Sequence, residues 1–287
     1  MKQTIITFFL FLSLSLSLQA QKFHPDLFCF EDAFLQSHTD SFEYQAELLS
    51  KLGFDGMELG GLDKADEKLK IIDKYNLRLY MVYVQIDIEK EQPYDSRLLD
   101  FIKKVKDRGV TLWLHVHSEK YGPSDPDGDK ICVPLLQKLA DYALEYNVNI
   151  ALYPHSRFWL EKVGDSMRLT QKINRRNVGA VFNLCHYLKV DKKDMLEAKL
   201  IEAIPYLAAV SINGADDGNT NDMDWLRLIQ PLGKGSYDVL KVLQVLRKND
   251  YKGPVGLQCF NIPGEPAEFL RFSVETWNKY MKKLSAN

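Results

Sequence analysis

One segment, NVNIALYPHSRFWLEKVGDSMRLTQKINRRNVGAVFNLCHYLKV at residues 147–190, most constrains what this chain can fold into. An apolar run at 148–152 breaks into Tyr153 and His155. Leu160, Val163 and Met167 follow on one helical face, and a second apolar run at 178–182 breaks into Asn183, Cys185 and His186. Short, wholly apolar runs joined by an amphipathic helix suit parallel strands, whose two faces are both covered. Ligands of parallel sheets sit beyond the carboxyl ends of the strands. Here those ends are where the polar side chains fall. For one strand taken alone, Tyr153 and Asn183 read better as turn residues and His155 and His186 as satisfied surface groups, so the functional reading depends on recurrence.

The pattern does recur. A strand at 27–30 ends in Glu31-Asp32, and Asp40 with Glu43 has the spacing of a capping box for a helix running to Leu52 and stopped by Gly53. FDGMEL carries Glu58 near its end, and LRLYMVYVQI is the third strand. Leu98, Phe101, Ile102 and Val105 keep helical spacing before Gly109, and VTLWLHVHS follows with Trp113, His115 and His117 on one face. Leu136, Leu139, Ala140 and Ala143 mark the helix that leads into 147–190. Beyond it come a helix at 195–204, the strand LAAVSING, and a polar connection at 215–235 long enough to be functional. A helix marked by Val239, Val242, Leu243 and Leu246, the strand GPVGLQCF, and a last helix with Phe269, Phe272 and Trp277 complete the chain. Eight strand–helix alternations without an internal breaker predict an α/β fold, a single (β/α)8 TIM barrel, rather than a doubly wound sheet.

The first residues, MKQTIITFFLFLSLSLSLQAQK, combine Lys2, an apolar stretch and a small-residue exit at Ala20. That is the layout of a secretory signal peptide at 1–20, too short for a comfortable membrane span. Its removal leaves 287 − 20 = 267 residues, 21–287, an ordinary length for one barrel. The mature chain is then expected to be periplasmic or extracellular, without a membrane anchor. A net charge of −2, with Lys103-Lys104, Arg175-Arg176 and Lys192-Lys193 as separated pairs, offers no basic face for nucleic acid. The four cysteines lack metal-type spacing. Export permits disulfides, and Cys29 and Cys259 fall on strands that adjoin in a closed barrel, but buried thiols fit equally well.

Seven strands end in groups able to bind or react with a polar ligand: Glu31-Asp32, Glu58, His115 with His117, Tyr153 with His155, Asn183 with His186, Asn213 with Asp216, and Gln258. A packed core would place aliphatic residues there, because an unpartnered buried polar group costs about 1–3 kcal/mol. Convergence at one end of the barrel therefore implies a pocket. Glu58, His117 and His155 are the candidates for acid–base work. His115, Tyr153, Asn183, His186, Asn213, Asp216 and Gln258 are the candidates for holding a substrate. Trp159 and Tyr187 are weaker candidates as aromatic platforms for a sugar ring.

Several motifs resemble the sugar phosphate isomerase/epimerase family, the xylose-isomerase-like TIM barrels: GFDGMEL at 53–59, IALYPH at 150–155, RNVGAVFNLCH at 176–186, AAVSINGADD at 208–217, and QPLGKGSYD followed by GPVGLQC. The resemblance implies carbohydrate chemistry and, in most members, one divalent metal held by two Glu, an Asp and a His from strands five to eight. At the matching positions this chain carries Tyr153, Asn183, Ser211 and Gln258. Neutral amides and hydroxyls are poor ligands for a hard cation. No cofactor is therefore expected at the family's usual site. A relocated zinc or manganese site built from Glu58, His117, His155, His186 or Asp216 is left open.

Without a metal, hydrogen bonds and histidines must carry the reaction. An imidazole titrates near working pH and can remove the acidic proton beside a carbonyl, while amide and hydroxyl donors hold the developing enolate. The expected function is isomerisation or epimerisation of a sugar or keto-sugar, with elimination or hydration of an oxidised sugar second. A non-catalytic sugar-binding barrel is the rival from another class. GKGS at 233–236 lacks the full phosphate-loop pattern, so an unphosphorylated substrate is expected.

Overall fold

The computed structural model describes residues 23–37 and 41–286. The segment read as a signal peptide therefore lies outside the described residues, as does Asp40. Eight parallel strands close into a barrel in chain order: β1 Leu27–Cys29, β2 Gly56–Leu59, β3 Arg78–Asp87, β4 Thr111–His117, β5 Asn149–Leu152, β6 Val178–Asn183, β7 Leu207–Ile212 and β8 Val255–Leu257. The single (β/α)8 barrel expected from the sequence is the fold observed. The outer layer contains α1 Phe42–Leu52, α2 Ala65–Lys74, α3 Leu98–Lys104, α4 Asp129–Glu145, α5 Val163–Ile173, α6 Leu184–Val190, α7 Leu196–Ala203, α8 Trp225–Leu228, α9 Val239–Lys248 and α10 Pro266–Ser285. Among the described residues, no helix is long and apolar enough to cross a membrane.

The apolar spacings explain how these helices dock. Leu98, Phe101, Ile102 and Val105 are all buried against the sheet, as are Leu136, Leu139, Ala140 and Ala143, and the corresponding four residues of α9. Ser41, whose hydroxyl accepts from Tyr44 N at 3.3 Å, caps α1, and Gly53 ends it at a φ of 85°. One helix starts later than its spacing suggests. Asp165 accepts a hydrogen bond from Lys162 N at 2.9 Å and so fixes the first turn of α5 at Val163, leaving Leu160 buried in the preceding loop. The expected helix at 195–204 is likewise split, with a 3-10 turn at Lys193–Met195 ahead of α7.

Register decides what faces the lumen. Tyr83 pairs with Trp113 and Trp113 with Ala151. On the other side Asn183 pairs with Ser211, Ser211 with Gly256, and Gly256 with Phe28. Paired residues share a face, so each of these rows points inward. The lower lumen is filled by an aromatic plug of Phe28, Phe30, Tyr80, Trp113 and Tyr153, with Ala151 and Ala209 between. Gly256 makes room for it. A Cβ there would sit 2.6 Å from the rings of both Phe28 and Phe30. With the bottom closed by rings, the upper ends of the strands form the only lining left for a ligand entering from above.

All four cysteines are buried free thiols, Cys29 and Cys259 included.

Candidate active site

A cleft of about 850 Å³ opens at the carboxyl ends of the strands. Of the ten site residues expected from the sequence, Glu58, Tyr153, His155, His186 and Gln258 line it. Asp32, Tyr83, Phe158 and Trp225 join them.

On one wall stand two imidazoles. His155 lies in the loop after β5, and its Nδ1 is 2.9 Å from Ser156 O. A carbonyl can only accept, so Nδ1 carries the proton and Nε2 keeps its lone pair. His186 sits in the first turn of α6, its ring centroid 4.0 Å from that of His155, with Nδ1 accepting from Ser156 N at 3.4 Å. Burial pushes the His155 imidazole down to about 4 and holds His186 well below the ordinary histidine range. Both rings are therefore neutral at neutral pH.

The facing wall carries carboxyls. Glu58, 5% exposed, accepts from Glu31 N at 3.0 Å. Desolvation, with the neighbouring Asp32 charge second, lifts its pKa well above the usual carboxylate range. Asp32 accepts only a long bond, 3.4 Å, from Cys259 N, and burial raises it to about 8. Glu31, beside them, is paired with Lys68 and accepts from Gly60 N at 2.8 Å. At neutral pH Asp32 is therefore largely protonated, and burial favours the protonated form of Glu58 as well. In a ring of eight strands, β1 and β2 lie four places from β5 and β6, so the acid and base walls face each other across the mouth.

Tyr153 supplies an oriented donor at the floor. Asn183 Nδ2 donates to Tyr153 Oη at 2.7 Å, which leaves the phenol proton free to point to a ligand. Burial raises the phenol's pKa well above the tyrosine norm, so it stays a donor. Tyr83 and Gln258 complete the polar floor.

The remaining expected residues do other work. Asn183 is not on the cleft wall: its Oδ1 accepts from His186 N at 3.1 Å and from Cys185 Sγ at 3.0 Å, so it caps α6 and positions Tyr153. His115 and His117 bond to each other at 2.7 Å, and the ring of Phe158 stands between His117 and His155, with centroids 3.8 and 3.9 Å away. Phe158 covers His117 and Tyr83 stacks on His115 with centroids 4.0 Å apart, so neither histidine is among the residues lining the cleft. Asn213 Nδ2 donates to Gly214 O at 2.8 Å and Leu228 O at 2.6 Å, and Asp216 pairs with Arg227 at 2.8 Å. Both tie down the long β7–α9 connection, which also contains α8 and an antiparallel bridge between Gly214 and Gln230. Trp159, bonded to Asp125 O at 2.8 Å, and Tyr187, bonded to Lys192 O at 3.1 Å, are buried structural aromatics. Phe158 and Trp225 take the aromatic places in the cleft instead. Phe158 comes from the irregular loop after β5 and Trp225 opens the four-residue α8, and neither segment is long enough or regular enough for spacing to signal side-chain direction. Tyr83 was legible, since it shares strand parity with Met81 and Gln85.

Fold and cleft define a (β/α)8 barrel with an open cleft over the strand ends. The chain belongs to the xylose isomerase-like TIM barrel family, whose pattern it matches over residues 46–280. Among curated protein sequences, none is significantly similar to it. Among solved structures, it is similar to apo 3-keto-D-glucoside 4-epimerase, YcjR, from E. coli, at 17% identity and a TM-score of 0.72, over 89% of this chain and 100% of that one. It is also similar to D-allulose 3-epimerase from Methylomonas sp., at 18% identity and TM-score 0.70, over 89% and 98%. The zinc-bound IOLI protein shares 19% identity at TM-score 0.64, over 91% and 96%. At these identities the likeness is one of fold.

The residues that stand where the family places metal ligands do not fit a hard dication. Tyr153, Asn183, Ser211 and Gln258 offer no charge, and the Asn183 carbonyl oxygen is already taken by two protein donors. The alternative set is not gathered either. Glu58 and His155 are on opposite walls, His117 is behind Phe158, and Asp216 is tied to Arg227. Among the described residues, no group of three or more His, Cys, Asp or Glu is arranged to hold a metal ion.

Proposed function

We propose that this chain is an exported proton-transfer enzyme of the isomerase/epimerase type, acting on an unphosphorylated keto-sugar. The observation that carries the reading is geometric: the imidazoles of His155 and His186 line one wall of the cleft, and the carboxyls of Asp32 and Glu58 line the wall across from it. Epimerisation removes a proton from one face of a carbon and returns one to the opposite face, so it needs a base and an acid on opposite sides of the same plane.

His155 Nε2 takes the proton next to the ketone. Electron density moves into the carbonyl, and the enolate oxygen is held by the Tyr153 hydroxyl and the Gln258 amide, both in place before the charge develops. Asp32, with the buried Glu58 beside it, then protonates the opposite face, and the enolate collapses to the inverted ketone. No net oxidation occurs and the protons balance. Burial keeps each group in the form the step requires. GKGS at 233–236 supports an unphosphorylated substrate, because it forms a turn against the β7 connection. Gly235, at a φ of 77°, lies so close to Ala215 O that a Cβ would approach within 2.1 Å. The similar E. coli epimerase acts on a 3-keto-glucoside, which makes methyl 3-keto-glucoside the first probe. Incubated with the protein in deuterated water, it should take up deuterium beside the ketone at a rate proportional to enzyme. Binding without uptake would identify a non-catalytic barrel instead.

A further inference from the structure

The cleft is divided chemically. Its acids, bases and hydroxyls sit over the strand ends, but the side bounded by the loops after β7, β8 and β1 is apolar. These loops are neighbours because β8 pairs with both β7 and β1. Leu35, Trp225 and Phe260 line the mouth there, with Phe34 and Ile229 behind them. Leu35 is 60% exposed and Phe260 49% exposed. Leu226, 50% exposed, extends the strip into an adjoining hollow of about 400 Å³ that Gln36 and Asn261 also line. Three of the six large hydrophobic side chains that are exposed among the described residues thus stand on one arc of the rim. Clustered exposed apolar surface marks a contact site, whereas scattered exposure does not.

Two further features tie this arc to the site. Trp225 packs edge-on against His186, with ring centroids 5.4 Å apart, so the apolar wall begins beside the base wall. A volume near 850 Å³ lies toward the upper end of the roughly 300–1,000 Å³ that small-molecule sites span, more than one pyranose ring fills. Resting on the proton-transfer reading, we propose that the substrate is a glycoside whose aglycone is apolar and aromatic, and that the Leu35–Trp225–Phe260 arc is the aglycone subsite. A free monosaccharide would leave these side chains facing water. An aryl group attached to the oxidised ring would cover them while the ring lies between the acid and base walls.

The test compares binding of methyl 3-keto-glucoside and phenyl 3-keto-glucoside by titration calorimetry, in the wild type and in Leu35→Ala/Phe260→Ala. Both substituted positions are solvent-exposed, and a thermal melt checks that the double variant is folded. The phenyl compound should bind at least tenfold more tightly to the wild type, about 1.4 kcal/mol, and the ratio should fall toward one in the variant. Equal binding of the two probes, or a ratio unchanged in the variant, would overturn the aglycone subsite while leaving the proton-transfer reading standing. Failure of both probes to bind would overturn the two together. Tighter binding of a disaccharide bearing the same oxidised ring would assign the arc to a second sugar. A dimer that dissociates when Leu35 and Phe260 are truncated would assign it to a second copy of the chain. Either result would refute the proposal.

Discussion

Replacing Asp32 with Asn tests the acid wall at the carboxyl that burial raises to about 8. Its carboxyl lies against buried surroundings and accepts only the long bond from Cys259 N, so its pKa moves from 3.8 to about 8. At pH 7 such a group is about 90% protonated, whereas an ordinary aspartic acid would be protonated in fewer than about one molecule in a thousand. The fold thus raises the supply of acid by roughly three orders of magnitude. Asn keeps the acceptor for Cys259 N and the shape but cannot donate a transferable proton. The assay is epimer formation from a keto-glucoside between pH 3.5 and 10. Wild-type rates should rise through about 4 as His155 becomes the free base and fall through about 8 as Asp32 ionises. In Asp32→Asn the fall near 8 should vanish, the rise near 4 should remain, and the plateau should drop by about 10²–10⁴. Stability follows the opposite logic from that of a paired carboxylate. A raised folded pKa contributes stability that is full below 3.8 and lost as pH rises through 8. The variant should therefore gain on the wild type in moving from pH 5 to pH 9. An alkaline limb near 8 that persists in Asp32→Asn, or a variant with full activity, would refute the assignment.

Other outcomes follow from single contacts. His155→Ala should abolish turnover, by about 10²–10⁴, with little change in melting temperature, because the ring is partly exposed at the cleft. Full activity in that variant would remove His155 from the mechanism. Ser211 Oγ is fully buried without a hydrogen-bond partner, so Ser211→Ala should stabilise the fold by about 1 kcal/mol, or roughly 2–4 °C in a melt. A lower melting temperature would show that the hydroxyl is satisfied. Treatment with a strong chelator should leave deuterium uptake unchanged. Loss of uptake restored by zinc or manganese would contradict the neutral donor set at Tyr153, Asn183, Ser211 and Gln258.

The architecture was legible in the chain because parallel strands and docking helices declare themselves in apolar spacing. Residues 98–105 and 239–246 bury the faces their periodicity specified. Half of the candidate site was legible for a related reason: strand ends are fixed by the fold, so Glu58, Tyr153 and Gln258 could arrive in only one place. The rest depended on information that spacing does not contain. Asn183 and Asn213 are strand-end amides like any other until their carbonyl and amide partners are known, and those partners make them braces. His117 shares the inward parity of Trp113, as expected, yet Phe158 swings in from an irregular loop and covers it. Asp32 was visible at a strand end, but its role follows from burial and a missing counter-charge. Lys68 goes to Glu31 instead.

The most direct measurement of the opposed walls is the early partition of solvent label. A keto-glucoside is allowed to react in deuterated water for a small fraction of one turnover cycle of the pool, and both the inverted product and the recovered substrate are analysed for deuterium by mass spectrometry. With His155 on one face and Asp32 and Glu58 on the other, the proton removed and the proton delivered come from different groups. The inverted sugar should then carry nearly one deuterium while the recovered sugar stays almost unlabelled. Equal labelling of the two would mean that one group exchanging with solvent serves both faces, and inverted sugar without label would mean that one shielded group returns the substrate's own proton. Either result would contradict catalysis across the cleft.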